Sequence, residues 1–416
     1  NKPKKPQLNI KDVKRFFRIF IDCKVVNPEF SSQSKTYLSS PNVTTNVEKK
    51  KIMQLYKWSV MEDIQDIIKG KELLSLKKNE RKKKSFRKID GFDPANNAGG
   101  KQSKECVLIL CEGLSAKTYA VSGIQEGIDD KRGRDWFGIY PLRGKLLNVR
   151  NASIKSISGN KEISDVVQAL GVRHGVDYTK EENYNQLCYG KVMIMTDSDV
   201  DGIHISSLIM NFFHYLFPSL LKRGEPFITS MQTPIVKVFL PKKELLFYQE
   251  EHFREWQASN PEKKYKMKYY KGLGTSSDKE IKNTFGKKLI NYVEDEHTDD
   301  NMNKVFHNKF SDQRKEWLGE YDPDRLHIPN DNSKIFNMNY SDHIDTQHIK
   351  FSIDDCGRSI PNMMDGLKES HRKILYSAFL RNLNKVMKVA QLAGYVAEKS
   401  NYHHGEQCLF ETITKM

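Results

Sequence analysis

Residues 192–204 read VMIMTDSDVDGIH, and the fold turns on how this stretch is parsed. The run VMIMT (192–196) is short and uncharged, and it stops at acids in alternate positions, Asp197, Asp199 and Asp201. Short apolar runs bounded by turn-forming residues are strands buried on both faces. A helical apolar pattern follows over 205–221. Working outward, CVLILC (106–111) has the same texture and also ends in an acid, Glu112, before a helical pattern bearing Ala116, Tyr119, Ala120 and Ile124. Further strands are expected near 227–228 and 235–240. Strand–helix–strand alternation predicts a parallel α/β domain over about 104–240.

In open α/β sheets, ligands collect at the carboxyl ends of the strands. If the two acid-tipped strands are neighbours, Glu112, Asp197, Asp199 and Asp201 converge. Such a cluster is electrostatically costly without a cation. Few, hard oxygen donors suit Mg2+, which keeps several waters and shares phosphate oxygens. Two other readings compete. DSDVDG matches the start of an EF-hand loop, but position 12 falls on Leu208 where a bidentate Glu is required, and a strand precedes it. The other is an acidic turn capping a helix; three aspartates beside a second acidic strand end exceed what capping needs.

The rest of the chain bounds the class. A net charge of +15 over 416 residues favours a polyanionic partner, although a basic surface also serves solubility. The six cysteines are scattered without a CxxC pair, which fits free thiols rather than a zinc site or disulfide frame. The most apolar stretch, 208–221, contains Asn211, His214 and Pro218 and is too short and polar to span a bilayer, so no membrane partner is expected. An amphipathic stretch is expected over 13–26. The basic run KKNERKKKSFRK (77–88) reads equally as a solvated face or as phosphate contacts. Residues 350–416 look helical, with Ile374, Leu375, Ala378 and Phe379 on one face and Val386, Val389 and Ala390 on another. The chain opens on Asn1 and closes at Met416 inside a helical pattern, so a fragment of a longer protein is expected.

CEGLSA (111–116) followed by TDSDVDGIH (196–204) resembles the Toprim pair of motifs. YPLRGKLLNVR (140–150), YYKGLGTS (269–276), RSIPNMMDGLKESHRKILYS (358–377) and YHHGEQCLFETI (402–413) resemble, in order, signatures of the type IIA DNA topoisomerases. NPEFSSQSK (27–35) resembles the end of their transducer. The similarity is greatest to the single-chain eukaryotic form, including versions from large DNA viruses.

The resemblance implies a Toprim-type parallel sheet domain followed by a helical winged-helix domain. It divides the chain into a transducer end (1–45), a basic helical linker (46–103), Toprim (104–240), a Toprim extension (241–340) and a truncated winged helix (341–416). It implies a homodimer that cuts and religates double-stranded DNA, in the nucleus or at a site of viral replication. Mg2+ would be the cofactor, with Mn2+ or Ca2+ as substitutes, and ATP would serve the complete enzyme. By motif, Glu112, Asp197 and Asp199 would hold the metal, with Asp201 at a second metal position or one layer further out. Arg143 and Lys145 would lie against DNA, joined by Lys271 and Lys373. Arg372 and His404 would stand near the cleavage centre and Lys35 at the γ-phosphate of ATP. A separate tyrosine is the nucleophile of the family, and none here, including Tyr395 and Tyr402, sits in the matching motif.

Each assignment has a plainer counterpart. Arg143 and Lys145 can be read as flanks of a Gly144 turn, and a Walker A reading fails because Gly138 to Gly144 is too wide and Leu146 replaces Ser/Thr. Lys271, Gly272 and Gly274 read equally as a turn, since Ser277 and Glu280 form a capping-box pattern. Departures from the family are Leu114 in EGLSA, Glu369, Ser370 and His371 in KESHRK, and DSDVDGIH for DQDHDGSH. Two rivals stay open: a Toprim nuclease or primase, which the PLRGK and HHGE segments disfavour, and a degenerate DNA-binding scaffold, which Leu114 and KESHRK suggest.

Overall fold

The computed structural model describes residues 10–416 apart from 19, 21–23, 44–46, 59, 62–63, 65–67, 69–88, 242, 271, 324–332 and 403–404. The basic run at 77–88, Lys271 and His404 therefore lie outside the described residues. The chain forms two compact units, one of residues 1–88 with 154–158 and 173–176, the other of the remainder. Residues 89–103, expected with the basic linker, belong to the second unit. The backbone of Asp93 there exchanges both hydrogen bonds with Ile139, at 2.9 and 2.8 Å.

In the first unit, helix occupies Ile10–Lys14, and part of the amphipathic stretch at 13–26 lies outside the described residues. A short antiparallel hairpin joins Glu29–Phe30 to Leu38–Ser40.

The second unit is built on a six-stranded sheet. In chain order its strands are β1 (Val107–Cys111), β2 (Phe137–Pro141), β3 (Lys191–Met195), β4 (Ile228–Met231), β8 (Leu289–Val293) and β9 (Ile335–Asn339). Their spatial order is β9-β8-β4-β3-β1-β2, parallel throughout except for the antiparallel β4–β8 pair. β2, β8 and β9 are additions to the strands expected from the sequence. The stretch expected at 235–240 is a strand, β5 (Val236–Phe239), but it lies in a separate antiparallel sheet between β6 (Glu244–Phe247) and β7 (Lys266–Tyr269). That sheet has its own core of Val236, Val238, Phe247 and Phe253.

Helices cover the large sheet, as a largely parallel sheet requires. Helix α1 (Leu114–Glu126) follows β1 and packs Ala116, Tyr119, Ala120 and Ile124 into the core with Ile109, Ile139 and Phe285. Helix α2 (Val200–Leu216) follows β3 and is buried nearly all round. Its pattern continues to 221, but Pro218 has no amide proton and restricts Phe217, so the helix ends at Leu216 and a separate turn, Pro218–Leu221, follows.

Helix α3 (Ile349–Ser359) leads out of the Toprim-like part. It is followed by α4 (Glu369–Leu380), α5 (Val389–Ser400) and α6 (Glu406–Lys415), so the architecture is α/β followed by a helical region. Ile374, Ala393, Val396 and Leu409 form the core of these last three helices. Phe379 and Val386, expected on packed helical faces, are instead 79% and 106% exposed. No described helix is long and apolar enough to cross a membrane.

Candidate functional site

β1 and β3 are hydrogen-bonded neighbours, Val107 opposite Lys191 through Cys111 opposite Met195. From β1 the chain goes to β2 on one side, and from β3 to β4 on the other. Connections that diverge in this way leave a crevice beyond the strand ends. Glu112 and Asp197 stand there. The Glu112 carboxylate accepts the amide N–H of Asp197 at 3.0 Å, and the Glu112 amide donates to the Met195 carbonyl at 3.2 Å. The expected convergence of the two strand tips is present.

Asp197 is fixed from the other side by the YYKGLGTS segment. The Leu273 amide donates to its Oδ1 at 2.8 Å. Gly272 has φ +87°, and a Cβ there would sit 2.5 Å from Asp197 Oδ2. Gly202 is equally constrained, since its Cβ would meet the Asp197 carbonyl at 2.1 Å. Both glycines are thus needed for close approach. The capping box exists as well: the Ser277 amide donates to Glu280 at 2.9 Å. The segment is therefore a turn with a structural cap that also grips an aspartate of the cluster.

The four acids differ in environment. Burial, with the neighbouring aspartates, raises the Glu112 carboxyl to about 7, against the opposing effect of the Asp197 amide. Burial also raises Asp197, partly opposed by the Leu273 amide. Asp199 caps α2, its Oδ1 accepting from the Gly202 amide at 2.8 Å, so the capping reading holds for this residue. Asp201 is engaged by cations of the chain itself. Both its oxygens are taken by the Arg358 guanidinium, at 3.0 and 2.7 Å, and Lys145 Nζ adds a contact at 2.7 Å. The Arg358 hydrogen bonds lead the causes that hold this carboxyl well below its usual range. Among the described residues no three acids, histidines or cysteines are clustered as ligands of one ion. Glu112 and Asp197 are the closely joined pair, with Asp199 two residues on.

The remaining candidates are dispersed. Lys145 lies 4.8 Å from the Phe351 ring centroid and is engaged with Asp201, whereas Arg143 is exposed. Arg372 forms a two-pronged pair with Asp365 at 2.9 and 2.8 Å, and Lys373 pairs with Glu369 at 3.0 Å, each within its own segment. The departures in KESHRK are accommodated by the helix start: His371 Nδ1 accepts the Lys368 amide at 3.2 Å. Lys35 is in the first unit, exposed, with φ +54° and its Nζ 5.9 Å from the Phe30 ring. Leu114 is 74% exposed at the start of α1. The five described cysteines are free.

Two groups of this site escape the sequence reading. Arg358 opens the RSIPNMMDGLK segment, which is its only signal. Arg150 closes the PLRGKLLNVR motif, and its guanidinium reaches Asn211 at 2.6 Å, Asn303 at 2.5 Å and His214 at 2.6 Å. It ties α2 to the helix Thr298–Phe306 and so anchors the loop carrying Arg143 and Lys145.

Comparison with known proteins agrees with this architecture. Residues 107–230 match the Toprim domain, 231–356 the C-terminal associated domain of Toprim, and 358–416 the A-subunit family of DNA gyrase/topoisomerase IV. DNA topoisomerase 2 of Invertebrate iridescent virus 6 is 42% identical over 100% of this chain. The chain belongs to the type IIA DNA topoisomerases. Human DNA topoisomerase 2-alpha is 42% identical over 97% of the chain. The chain spans 39% of the viral relative's length and 27% of the human one's. The DNA-binding, cleavage and re-ligation domain of Plasmodium falciparum topoisomerase II superposes with a TM-score of 0.66 at 40% identity, covering 80% of this chain and 44% of that one. The departures at Leu114 and in KESHRK leave Glu112 and Asp197 in place.

Proposed function

We propose that this chain is the metal-binding, DNA-facing segment of an ATP-dependent topoisomerase that cleaves, passes and religates double-stranded DNA as a homodimer. The observation that carries this reading is the meeting of Glu112 and Asp197 at adjacent strand tips. Their carboxylates are hard donors, few in number and beside a crevice, which suits Mg2+ sharing a phosphate oxygen, with Mn2+ or Ca2+ as substitutes. When bound, the ion supplies charge stabilisation to the attacking and leaving oxygens of the in-line displacement.

On this reading Glu112 and Asp197 hold the ion, and Asp199 joins them while it caps α2. Asp201 stands one layer further out. It anchors Lys145 and Arg358 at the edge of the site. Arg143, exposed on the preceding loop, meets the DNA backbone. Lys373 contacts phosphate and Arg372 the cleavage centre after exchanging their local carboxylates for DNA. Lys271 and His404 take the same roles on the strength of their motifs alone. A tyrosine outside this chain is the nucleophile and forms the phosphotyrosine bond that conserves energy for religation. Lys35 ends the transducer (1–45) and serves ATP in the complete enzyme. A basic linker, Toprim, its extension and the start of the winged helix follow, with residues from 89 onward counted with Toprim. The protein acts in the nucleus or at a site of viral replication.

The experiment is cleavage of supercoiled DNA by the complete protein carrying Glu112→Ala or Asp197→Ala. Mg2+-dependent cleavage is expected to fall by about three orders of magnitude, the scale of losing several kcal/mol of transition-state stabilisation. Undiminished cleavage by both variants would defeat the assignment. Cut ends free of covalently attached protein on a denaturing gel would point instead to a Toprim nuclease.

A further inference from the structure

We infer that Glu280 is a positioning residue for the metal-binding acids: by closing the turn at 272–276 it sets where Asp197 stands relative to Glu112. This rests on the reading of Glu112 and Asp197 as metal-binding.

Glu280 lies in the first turn of the helix Asp278–Thr284, and its two oxygens serve different parts of the chain. Oε2 accepts the Ser277 amide and the Ser277 hydroxyl, both at 2.9 Å. Oε1 accepts Lys268 Nζ at 2.7 Å and the Tyr270 hydroxyl at 3.0 Å. One side chain therefore grips the chain just before the turn and just after it. Between the two grips lie Gly272, whose missing Cβ admits Asp197, and Leu273, whose amide donates to Asp197 Oδ1 at 2.8 Å. The Glu280 side chain is only 14% exposed. Burial works against its charge, but the hydrogen bonds from Lys268, Ser277 and Tyr270 prevail and hold the carboxyl at about 2. It is thus an ionised acceptor near neutral pH, and such charge-assisted bonds are the stronger kind.

A capping box requires only the Oε2 half of this arrangement. The Oε1 half exceeds what a helix start needs, and it reaches into the small antiparallel sheet. Lys268 belongs to β7, and the Tyr270 amide carries the ladder one step further by donating to the Ile235 carbonyl at 2.9 Å. The helix bearing Glu280 is fixed in turn on α1. The Tyr119 hydroxyl meets that of Thr284 at 2.6 Å, the Thr284 hydroxyl donates to the Glu280 carbonyl at 2.8 Å, and Ile281 shares a core with Ala116 and Ala120. α1 begins two residues after Glu112. The clamp is therefore anchored on the helix that follows one acid while its turn holds the other, so a shift of the turn alters the spacing of the pair. Groups that orient a ligand from behind change metal affinity by about 10–100-fold when replaced.

The test is Mn2+ titration of the complete protein without DNA, read by electron paramagnetic resonance of the free ion, with a thermal melt of each variant. Lys268→Met combined with Tyr270→Phe removes the partners of Oε1 and leaves the cap. It is expected to weaken Mn2+ binding about tenfold. Ser277→Ala removes a cap hydroxyl instead, and is expected to lower the Tm without weakening Mn2+ binding. Glu280→Gln, which loses both halves, is expected to weaken Mn2+ binding at least as much as the double variant. Should the double variant fail to fold, Tyr270→Phe alone is expected to give a smaller loss in the same direction. A merely structural role would make Mn2+ affinity follow Tm across the whole set. Unchanged affinity in the folded Oε1 variants, or losses that track Tm through Ser277→Ala, would overturn the inference; if Glu112→Gln still abolishes binding, the metal centre stands. Mn2+ binding that Glu112→Gln leaves untouched would overturn both.

Discussion

The sheet that bears Glu112 and Asp197 and the helices that bear Arg372 and Lys373 are held to opposite standards of packing. β1, β2, β3 and β4 are buried along nearly their whole length. The region after Ser359 has helices that share a core of four buried apolar residues, and it leaves Phe379 of α4 79% exposed and Met363, Met364 and Val386 of the connections 94%, 85% and 106% exposed. Close-packed interiors resist small displacements, whereas thinly packed elements shift at low cost. Acids that are to be held at a fixed spacing therefore belong on the first, and side chains free to change partners can sit on the second. Arg372 and Lys373, each in a local ion pair, fit that division.

The comparison predicts a wide gap between core truncations. Leu110→Ala, at a side chain 1% exposed, should destabilise the protein by about 4 kcal/mol, as large-to-small changes in cores do. Phe379→Ala should cost less than about 0.5 kcal/mol in this chain. Urea midpoints compare the two, and equal losses would erase the distinction between the regions.

Acid should act on the packed region first. His214 and His343 are buried, and burial lowers them to about 4 and about 3 from an ordinary value of 6.5. Burial likewise lowers His348 well below its usual value. The folded values lie below the unfolded ones, so the unfolded chain gains protons first as pH falls. Stability is complete above about 6.5 and declines toward the folded values. From pH 7.5 to 5.5 His214 and His343 together should remove on the order of 3 kcal/mol. Thermal melts read this as a falling Tm, which His343→Asn should lessen; a Tm flat over that range would contradict the burial.

Gly272→Ala is the finest probe of the boundary. The added methyl meets Asp197 Oδ2 at 2.5 Å at a positive φ, so a stability loss of about 2 kcal/mol is expected. Cleavage should fall more than the melt alone explains, because the displaced group is the carboxylate. A variant with full cleavage activity would mean that the grip of the KGLG segment on Asp197 is dispensable.

Legibility from sequence follows the same division. VLILC and VMIM announce themselves because strands buried on both faces have uniform apolar composition, and the acids at their ends mark the crevice. β2 is shorter on signal, FGIYP carrying both Gly and Pro, and β9, IFNMN, is half polar at the sheet edge. β5 looks no different from a Toprim strand, because pairing partners are non-local and local composition does not name them. For the same reason Asp201 reads with its neighbours in the motif. Nothing near it in sequence reveals a guanidinium arriving from 157 residues away.

The most direct measurement replaces Mg2+ by Fe2+ and generates hydroxyl radicals at the bound ion with ascorbate and peroxide. Backbone scission should concentrate beside Glu112 and beside Asp197 to Asp199, with excess Mg2+ suppressing both cuts together. Scission confined to other segments, or cuts at only one of the two strand tips, would contradict a shared ion between them.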